Sequence, residues 1–394
     1  MRVRFTQYGN IIDLSFMITL SNRIRFLSAS PIREILAIID RPGMISFAGG
    51  LPASETFPKM DVTDMPQSTL QYGPSEGEMA LRVRVAETLG ERGLEVLPEQ
   101  VLIVSGSQQG IDLVAKLFID ADSLVAVESP TYLAALQAFR FYGARFREFN
   151  PRETRSLADS LHGARFAYAI PTFQNPTGHC YTQSERAALA HACDAHSVPL
   201  FEDDPYRDLV YDECERTPVC AQLKRAPWIY QGSFSKSLAP GVRLGYVACS
   251  PEFITPLTRL KQAADLHSNR ISQWWVLQQL NAPDRDARMQ RLIQIYRTKR
   301  DHFAALLGEH LNGLAKWESP KGGLFFWLTL HRNIDTQALL QSAIACNVAF
   351  MPGEPFFFNG KPVDASLRLN FSHASAEQAE QGLKILAELI RNAD

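Results

Sequence analysis

The stretch QGSFSKSLAPGVRLGY, residues 231–246, contains one lysine, Lys236, flanked by Ser233 and Ser235 and followed by Arg243. A lysine among small hydroxyl residues, just after an apolar run, is typical of a nucleophilic amine that forms Schiff bases with aldehydes. The serine hydroxyls can donate hydrogen bonds to an anion beside that amine, and the guanidinium fork of the arginine matches phosphate geometry. The alternative is a strand followed by a polar turn, in which Lys236 and Arg243 face water.

The composition of the 394-residue chain limits the classes of protein that it can be. Its net charge of −2 lacks the positive excess that nucleic-acid binding through a basic surface requires. Its length suffices for one large domain and a smaller one. Six scattered cysteines without a C-x-x-C pair predict a reduced, cytoplasmic protein with neither a disulfide framework nor a metal site. No apolar stretch is long enough for a membrane span, so no membrane partner is expected.

The N-terminal residues imitate a signal peptide, with Arg2 and Arg4 ahead of an apolar stretch. Asp13 interrupts that stretch, and no small-residue cleavage site follows before the next arginines, so secretion is not expected. Met17 can serve as an alternative start, in which case residues 1–16 form an extension without fixed structure.

Three short segments near the N-terminus carry candidate binding residues. The pattern SPIREIL predicts a helix with Ser30 as its N-cap, which puts Arg33 in a first turn where the helix dipole disfavours a positive charge. A Gly-Gly pair ending in Gly50 marks a tight turn where the backbone can approach a ligand closely. The loop LQYGPSEG presents Tyr72 just before a helical pattern. An exposed arginine without a role and a bare turn are the alternatives for the first two segments.

From about residue 100 the chain alternates short apolar runs with helix-length segments. The runs are QVLIV, SLVAVE, RFAYAIP, VPLFEDD, WIYQGS and LGYVAC, and the helical segments include residues 109–118 and 184–196. This alternation predicts an α/β fold, with a mostly parallel sheet covered by helices on both faces. Ligands of such folds gather at the carboxyl ends of the strands, where the polar motifs of this chain occur.

The first two strands end in residues suited to a phosphate and a planar ring. After QVLIV, Ser107, Gln108 and the free amides of a helix start can bind an anion, because the unsatisfied N–H groups and the helix dipole point the same way. A simple N-cap is the alternative for Ser107. After SLVAVE, the ring of Tyr132 can lie on a planar cofactor, with core packing as the alternative.

The next strands end in Asn175, ahead of Pro-Thr-Gly, and in Asp203 and Tyr206 within DDPY. Turn chemistry alone accounts for an Asn-Pro or Asp-Pro pair. Five polar strand ends of this kind, the last carrying Lys236, are hard to assign to turns and together predict a pyridoxal 5'-phosphate (PLP) pocket. A carboxylate such as Asp203 keeps the pyridine nitrogen protonated, which makes the ring an electron sink. Hydrogen bonds from Asn175 and Tyr206 to the ring oxygen would keep the lysine linkage reactive near neutral pH.

These motifs resemble the class I aminotransferases of PLP fold type I, and within them the branch of 2-aminoadipate aminotransferase and kynurenine aminotransferase II. The resemblance begins at about residue 17, and its segments are SFAGGLP, QYGPSEG, SGSQQG, QNPTG, EDDPY, GSFSKSLAPGVRLGY, KQAADLH, KGGLFFW, MPGEPFF and LRLNFS. It implies transfer of an amino group from an L-amino acid to a 2-oxo acid such as 2-oxoglutarate. It also implies a large PLP-binding domain of residues 61–289 and a smaller α+β domain from both chain ends, residues 17–60 and 290–394.

The resemblance assigns a role to each candidate residue. Lys236 would hold PLP and carry a proton between substrate and cofactor, with Asp203 on the pyridine nitrogen and Tyr206 as a third catalytic residue. Tyr72 matches a tyrosine that reaches the phosphate of a neighbouring subunit, which implies a homodimer with shared active sites. The other cofactor contacts implied are ring-oxygen bonds from Asn175 and Tyr206, stacking by Tyr132, and phosphate binding by Ser107, Gln108, Ser233, Ser235 and Arg243.

Arg368 in SLRLNFS matches the arginine that binds the substrate α-carboxylate, with Gly50 and Asn175 as further substrate contacts. The residues agree, because an arginine between apolar neighbours in an alternating strand is costly to bury without a carboxylate partner. A strand arginine paired with an acidic side chain is the alternative. Ser30 and Arg33 match a mobile N-terminal helix whose arginine contacts the distal carboxylate of acidic substrates. This implies 2-aminoadipate or glutamate as substrate and leaves leucine-like and aromatic amino acids open.

Two other functions fit parts of the pattern. Bacterial transcription regulators carry an aminotransferase-like body behind a winged-helix domain, but this chain shows neither a helix-turn-helix pattern nor a basic patch. A lyase or decarboxylase can use the same pocket, because the fold does not decide which bond breaks. The presence of both Lys236 and Arg368 favours transamination.

Overall fold

A seven-stranded mixed sheet lies at the centre of the fold in a computed structural model of the chain. The structure describes residues 5–7, 10–12, 20–26, 41–154, 156–360 and 362–393. The helix predicted to begin at Ser30, and with it the candidate site residues Ser30 and Arg33, lie outside the described residues.

The strands are short, and most belong to one of two sheets. In chain order the described strands are β1 (Phe5–Gln7), β2 (Asn10–Ile12), β3 (Ile45–Ser46), β4 (Val101–Val104), β5 (Leu124–Glu128), β6 (Arg145–Phe149), β7 (Phe166–Ala169), β8 (Leu200–Asp203), β9 (Trp228–Ser233), β10 (Gly245–Cys249), β11 (Ala315–Lys316), β12 (Phe325–Leu330), β13 (Val348–Ala349), β14 (Met351–Pro352) and β15 (Ser366–Asn370).

The helices cover both sheets. The described α-helices are α1 (Met79–Glu91), α2 (Ser107–Phe118), α3 (Leu133–Phe141), α4 (Leu157–Leu161), α5 (Gln183–His196), α6 (Pro251–Asp265), α7 (Arg270–Asn281), α8 (Arg285–His310), α9 (Thr336–Ala345) and α10 (Ala376–Asn392). Short 3-10 helices occur at Asn22–Phe26, Ser54–Thr56, Gln67–Leu70, Pro98–Gln100, Val219–Gln222, Pro240–Val242 and Glu354–Phe356.

The central sheet has the strand order β4-β10-β9-β8-β7-β5-β6. Neighbours from β6 across to β9 run parallel, whereas β10 is antiparallel to both β9 and β4. Parallel strands joined by helices are buried on both faces and therefore read as continuous apolar runs, which is why six of the seven strands are visible in the sequence. The topology confirms the predicted α/β class with a mostly parallel sheet.

Alternate residues of each central strand pack into different apolar clusters. Val101 and Ile103 belong to one cluster, and Leu102 and Val104 of the same strand belong to another. Successive side chains of a strand point to opposite faces, so the sheet is buried on both sides.

The seventh strand, β6, was not predicted from the sequence. Its residues RFREF lie at the sheet edge beside β5, and Phe149 is the one fully buried residue among them. Charged residues on an edge strand face water and block pairing with other chains, so the apolar signal that marks a central strand is missing here.

Both ends of the chain build a second layer around a four-stranded sheet, β11-β12-β15-β14. Strand β3 pairs in parallel with β13, with Ile45 opposite Val348. The ring of Phe47 lies so close to α10 that a Cβ atom at Gly382 would be 2.6 Å from it. The segment before residue 60 therefore shares an apolar cluster with the C-terminal elements.

Within residues 1–16, the structure pairs β1 with β2 as an antiparallel hairpin. The extension proposed for residues 1–16 stays a prediction. Among the described residues, no helix has the length and apolar character that crossing a membrane requires.

Candidate active site

Lys236 lies in the turn that follows β9, at the carboxyl end of the central sheet. The turn is closed by the N–H of Leu238, which donates to the carbonyl of Phe234 at 3.0 Å. The Lys236 Nζ atom donates a 2.7 Å hydrogen bond to the carbonyl oxygen of Gly50 and lies 6.0 Å from the ring centroid of Tyr206. Lys236 therefore faces the cleft between the two layers and not open solvent.

The surroundings of Lys236 lower the pKa of its amine to about 8. Burial is the main cause, because a charged amine loses hydration there, and the positive charges of Arg368 and Arg243 add to it. A neutral amine is a nucleophile and a base, so this lysine is more reactive near neutral pH than a surface lysine.

Asp203 is the last residue of β8, and its carboxylate is buried. Tyr168 donates its hydroxyl to Oδ2 and Gln231 donates its amide to Oδ1, each at 2.8 Å. Burial raises the pKa of Asp203 to about 6, against the opposing effect of the two hydrogen bonds. Among the ion pairs of the described residues, none involves Asp203.

Arg368 lies in the middle of β15 and is only 2% exposed. Its Nη1 donates to Oδ1 of Asn175 at 2.8 Å, and its Nη2 donates to the carbonyl of Ala48 at 2.6 Å. Its guanidinium carbon lies 4.1 Å from the ring centroid of Phe325 and 5.0 Å from that of Phe356. The predicted alternative, an acidic partner for this arginine, finds no support among the described residues.

The Nε atom of Arg368 is buried without a hydrogen-bond partner in the described part of the chain. Burial also lowers the pKa of its guanidinium to about 10. A buried donor without an acceptor is costly, so this atom leaves a place for an anionic ligand.

Two tyrosines complete the buried wall of the cleft. Tyr206 is close enough to Asn175 to share a hydrogen bond, and burial raises the pKa of Tyr206. Tyr132 immediately precedes α3, and burial, together with the charge of Asp203, raises the pKa of Tyr132 to about 12. Both phenols therefore stay protonated at neutral pH.

The start of α2 lies beside Arg243. Helix α2 begins at Ser107, and its N-cap is Gly106, with a φ of 82° and no side-chain cap. The alternative considered for Ser107, a simple N-cap, therefore does not hold, because Ser107 is the first helical residue. A Cβ at Gly106 would be 2.5 Å from Nη2 of Arg243, so the guanidinium lies against the backbone. Free amides at a helix start bind phosphate.

The remaining predicted site residues are Ser233, Ser235, Gln108 and Tyr72. The N–H of Ser235 donates to the hydroxyl of Ser233 at 3.1 Å, so both serines belong to the turn that carries Lys236. Gln108 is the second residue of α2 and is exposed. Tyr72 is 76% exposed, and its ring meets that of His267, with centroids 5.8 Å apart.

PLP fits this cleft on two observations. The buried carboxylate of Asp203 has no cationic partner among the described ion pairs, and a protonated pyridine nitrogen is a cation of suitable shape. The bare amides at the start of α2, next to Arg243, suit a phosphate. The described residues contain no cluster of three His, Cys, Asp or Glu side chains that could hold a metal ion.

Four residues at the site were not predicted from the sequence. Tyr168 and Gln231 lie inside strands, where they look like core residues, and Phe325 and Phe356 look like ordinary apolar packing. The one available signal was polarity, because a tyrosine and a glutamine within otherwise apolar buried strands need hydrogen-bond partners.

Comparison with known proteins gives consistent matches. The family described as aminotransferase class I and II matches residues 48–386. Aromatic-amino-acid aminotransferase 1 of Thermococcus litoralis is 36% identical over 385 residues, covering 93% of this chain and 92% of that protein. 2-Aminoadipate transaminase of Thermus thermophilus is 38% identical over 383 residues, covering 93% and 94%.

One solved structure links the fold to the cofactor. LysN, the α-aminoadipate aminotransferase of Thermus thermophilus, complexed with N-(5'-phosphopyridoxyl)-L-leucine, superposes with a TM-score of 0.86 and 36% identity. The match covers 94% of this chain and 97% of that one. These similarities confirm the predicted family, fold type and cofactor. The chain belongs to the class I and II aminotransferases and is a PLP-dependent transaminase.

Proposed function

We propose that this transaminase moves the amino group of an acidic L-amino acid, such as 2-aminoadipate or glutamate, to a 2-oxo acid such as 2-oxoglutarate. Leucine-like and aromatic amino acids form the wider range of donors. The observation that carries the proposal is Arg368, whose buried Nε atom has no partner in the described part of the chain. An α-carboxylate, which all 2-amino and 2-oxo acids share, supplies the missing acceptor.

The proposed roles follow from where each side chain lies. PLP, when bound, supplies an electron sink that stabilises negative charge at the substrate α-carbon. Lys236 would hold the cofactor through Nζ and, once the substrate amine has displaced it, would take up and return the α-proton with the freed amine, for which a pKa of about 8 is suited. Asp203 holds a proton on the pyridine nitrogen. Asn175, which accepts a hydrogen bond from Arg368, and Tyr206 would bind the ring oxygen.

Further roles concern the ring and the phosphate. Tyr132 stacks on the ring, and its position just before α3 supports this. Gly50 lies opposite Lys236, and a Cβ there would be 3.2 Å from the ring of Phe325, so the small residue keeps room for a substrate. The proposed phosphate ligands are Ser107, Gln108, Ser233, Ser235 and Arg243.

Acidic side-chain specificity is proposed to come from Arg33, together with Ser30, three residues earlier in the sequence. A second arginine would pair with the distal carboxylate of aminoadipate, as Arg368 pairs with the α-carboxylate. The similarity to 2-aminoadipate transaminase supports an acidic substrate. The similarity to an aromatic-amino-acid aminotransferase supports the wider range of amino donors.

A homodimer in the cytoplasm is part of the same proposal. The exposed ring of Tyr72 supports it, because a tyrosine that reaches into the site of a neighbouring subunit is exposed in a single chain. The six free cysteines support a reducing compartment.

The test is the transfer of ¹⁵N from labelled L-2-aminoadipate, glutamate, leucine or phenylalanine to a 2-oxo acid, with PLP-loaded protein. We expect labelled product from the wild type and none from Lys236→Ala, although the variant keeps its fold by circular dichroism. Arg33→Ala should lower kcat/KM for aminoadipate by about tenfold or more and leave leucine nearly unchanged, since one charge-assisted pair is lost.

Arg41→Ala is the matched control, because Arg41 is exposed and lies eight residues further along the chain. Equal losses for leucine and aminoadipate in Arg33→Ala would contradict side-chain recognition by Arg33. Product without any label, from a protein that binds PLP, would indicate lyase or decarboxylase chemistry instead.

A further inference from the structure

Three adjacent strands place one polar side chain each on the same face of the central sheet. Tyr168 comes from β7, Asp203 from β8 and Gln231 from β9. Asp203 and Gln231 are register partners, and Tyr168 is the partner of Phe201, two residues before Asp203. Because side chains alternate between faces with a period of two, all three polar groups point to one side.

The hydroxyl of Tyr168 is fixed as a donor to Asp203. Its ring is fully buried and meets the rings of Phe139 and Phe201, each with centroids 5.4 Å apart. Burial and the neighbouring carboxylate raise the pKa of Tyr168 well above its usual range, so the phenol keeps its proton. The hydroxyl can therefore donate to Oδ2 of Asp203.

The side-chain amide of Gln231 is also fixed in orientation, although its oxygen finds no hydrogen-bond partner among the described residues. Its Nε2 donates to Oδ1 of Asp203, whereas its buried Oε1 has no hydrogen-bond partner among the described residues. The opposite orientation would turn the amide oxygen towards a carboxylate, where both atoms can only accept. Gly110 of α2 makes room, since a Cβ there would be 1.9 Å from Oε1.

We infer that Tyr168 and Gln231 are positioning residues that keep Asp203 ionised and aimed at the pyridine nitrogen, with Gly110 as the space that Gln231 requires. Each oxygen of Asp203 accepts one bond from a neighbouring strand and retains capacity for another. Hydrogen bonds to the charged form favour ionisation and oppose the effect of burial. The inference rests on the proposed role of Asp203.

The test uses pyridoxamine phosphate, which has no aldehyde and so binds without reacting with Lys236. Its affinity for the apo protein is measured by calorimetry from about pH 5 to pH 8, a range that spans ionisation of a carboxyl of raised pKa. In the wild type, the affinity for pyridoxamine phosphate should fall at low pH as Asp203 is protonated. This fall is the acid limb of the pH profile. In Tyr168→Phe and Gln231→Met we expect this acid limb to move upward by roughly one pH unit.

Matched controls separate positioning from general loss of packing. Tyr230→Phe removes a hydroxyl that donates to Asp204, the adjacent buried carboxylate, at 2.9 Å, and it should leave the acid limb in place. Gly110→Ala should behave like Gln231→Met, whereas Gly308→Ala, also within a helix but with open space around it, should not. Thermal unfolding of each apo variant reports stability.

The inference would be overturned if the acid limb keeps its wild-type position in both Tyr168→Phe and Gln231→Met, or if it moves by the same amount in Tyr230→Phe. Either result would leave the proposed function intact. If Tyr168→Phe does not fold, Gln231→Met and Gly110→Ala decide. Wild-type protein whose affinity for pyridoxamine phosphate does not change with pH would instead overturn the role of Asp203 and the inference together.

Discussion

Lys236 owes its reactivity to charges on other elements as well as to burial. Arg368 on β15 and Arg243 after β9 both lower the pKa of the lysine amine, which stands at about 8. Neither arginine pairs with an acidic side chain among the described ion pairs, so their positive charge acts on the cleft without cancellation. The same two charges that attract anionic ligands thus keep Lys236 partly neutral at physiological pH.

Removing the charge of Arg368 should make Lys236 a poorer nucleophile at neutral pH. In Arg368→Gln the pKa of Lys236 rises, because a nearby like charge is lost while burial persists. Capture of PLP requires the neutral amine, so the pH midpoint of the capture rate should move upward, by roughly half a unit to one unit. Stopped-flow absorbance of apo protein mixed with PLP measures this rate.

Arg140→Gln is the control, since Arg140 is a partly buried arginine that donates to the carbonyl of Phe358, away from the cleft. Its midpoint should match the wild type. A midpoint that is unchanged in Arg368→Gln would show that Lys236 does not sense that charge.

At the scale of elements, the junction between β4 and α2 determines the shape of the phosphate site. Gly106 has a φ of 82°, which side chains other than hydrogen rarely allow, and Arg243 itself adopts a left-handed φ of 48°. The guanidinium of Arg243 and the amides at the start of α2 thus meet at a place where a Cβ would intrude.

Gly106→Ala should weaken PLP binding, by about tenfold or more, because displacing the guanidinium removes a charge-assisted contact to phosphate. The positive φ should also cost about 1 kcal/mol of stability. Gly163→Ala is the control, since Gly163 has a φ of 74° and nothing within 4 Å of a Cβ. Fluorescence titration with PLP and thermal unfolding separate the two effects. Equal PLP affinity in both variants would show that Gly106 matters for backbone conformation alone.

The elements also show why the sequence predicts some of the site and not the rest. The strand ends that carry Asn175, Asp203 and Lys236 are predictable, because parallel strands must place their carboxyl ends on one edge. Tyr168 and Gln231 are not, because no local pattern shows which buried neighbour a strand side chain meets. Strand β6 was not predicted for a different reason. It lies at the edge of the sheet and carries charged residues, so it lacks the apolar pattern of a central strand.

At the scale of the whole molecule, the cleft exists only when both chain ends have met. Gly50 and the carbonyl of Ala48 come from the N-terminal segment, Arg368 comes from β15, and Lys236 comes from the central sheet. Pairing of β3 with β13 joins the N-terminal segment to the C-terminal part of the chain, which also contains β15. The domain boundaries at residues 60/61 and 289/290 stay predictions.

Within one chain, Lys236 and Arg368 belong to the same cleft, whereas the exposed ring of Tyr72 contacts His267 instead. If the two subunits of the proposed dimer share their active sites, this difference predicts how much activity returns when two inactive variants are mixed. Both Lys236→Ala and Tyr72→Ala should have low activity as homodimers. A mixed dimer contains one site with an intact Lys236 and a Tyr72 donated by the other subunit, so about half of the wild-type activity should return.

Mixed dimers of Lys236→Ala with Arg368→Gln form the control, because each site then lacks one residue that its own chain must supply. They should stay inactive. Carrying a different affinity tag on each variant allows mixed dimers to be purified before the assay. Failure of the Tyr72→Ala mixture to regain activity, with mixed dimers present, would place Tyr72 outside the neighbouring site. Recovery in that mixture alone would show that one subunit completes the phosphate site of the other, because no rearrangement within a single chain restores both residues to one cleft.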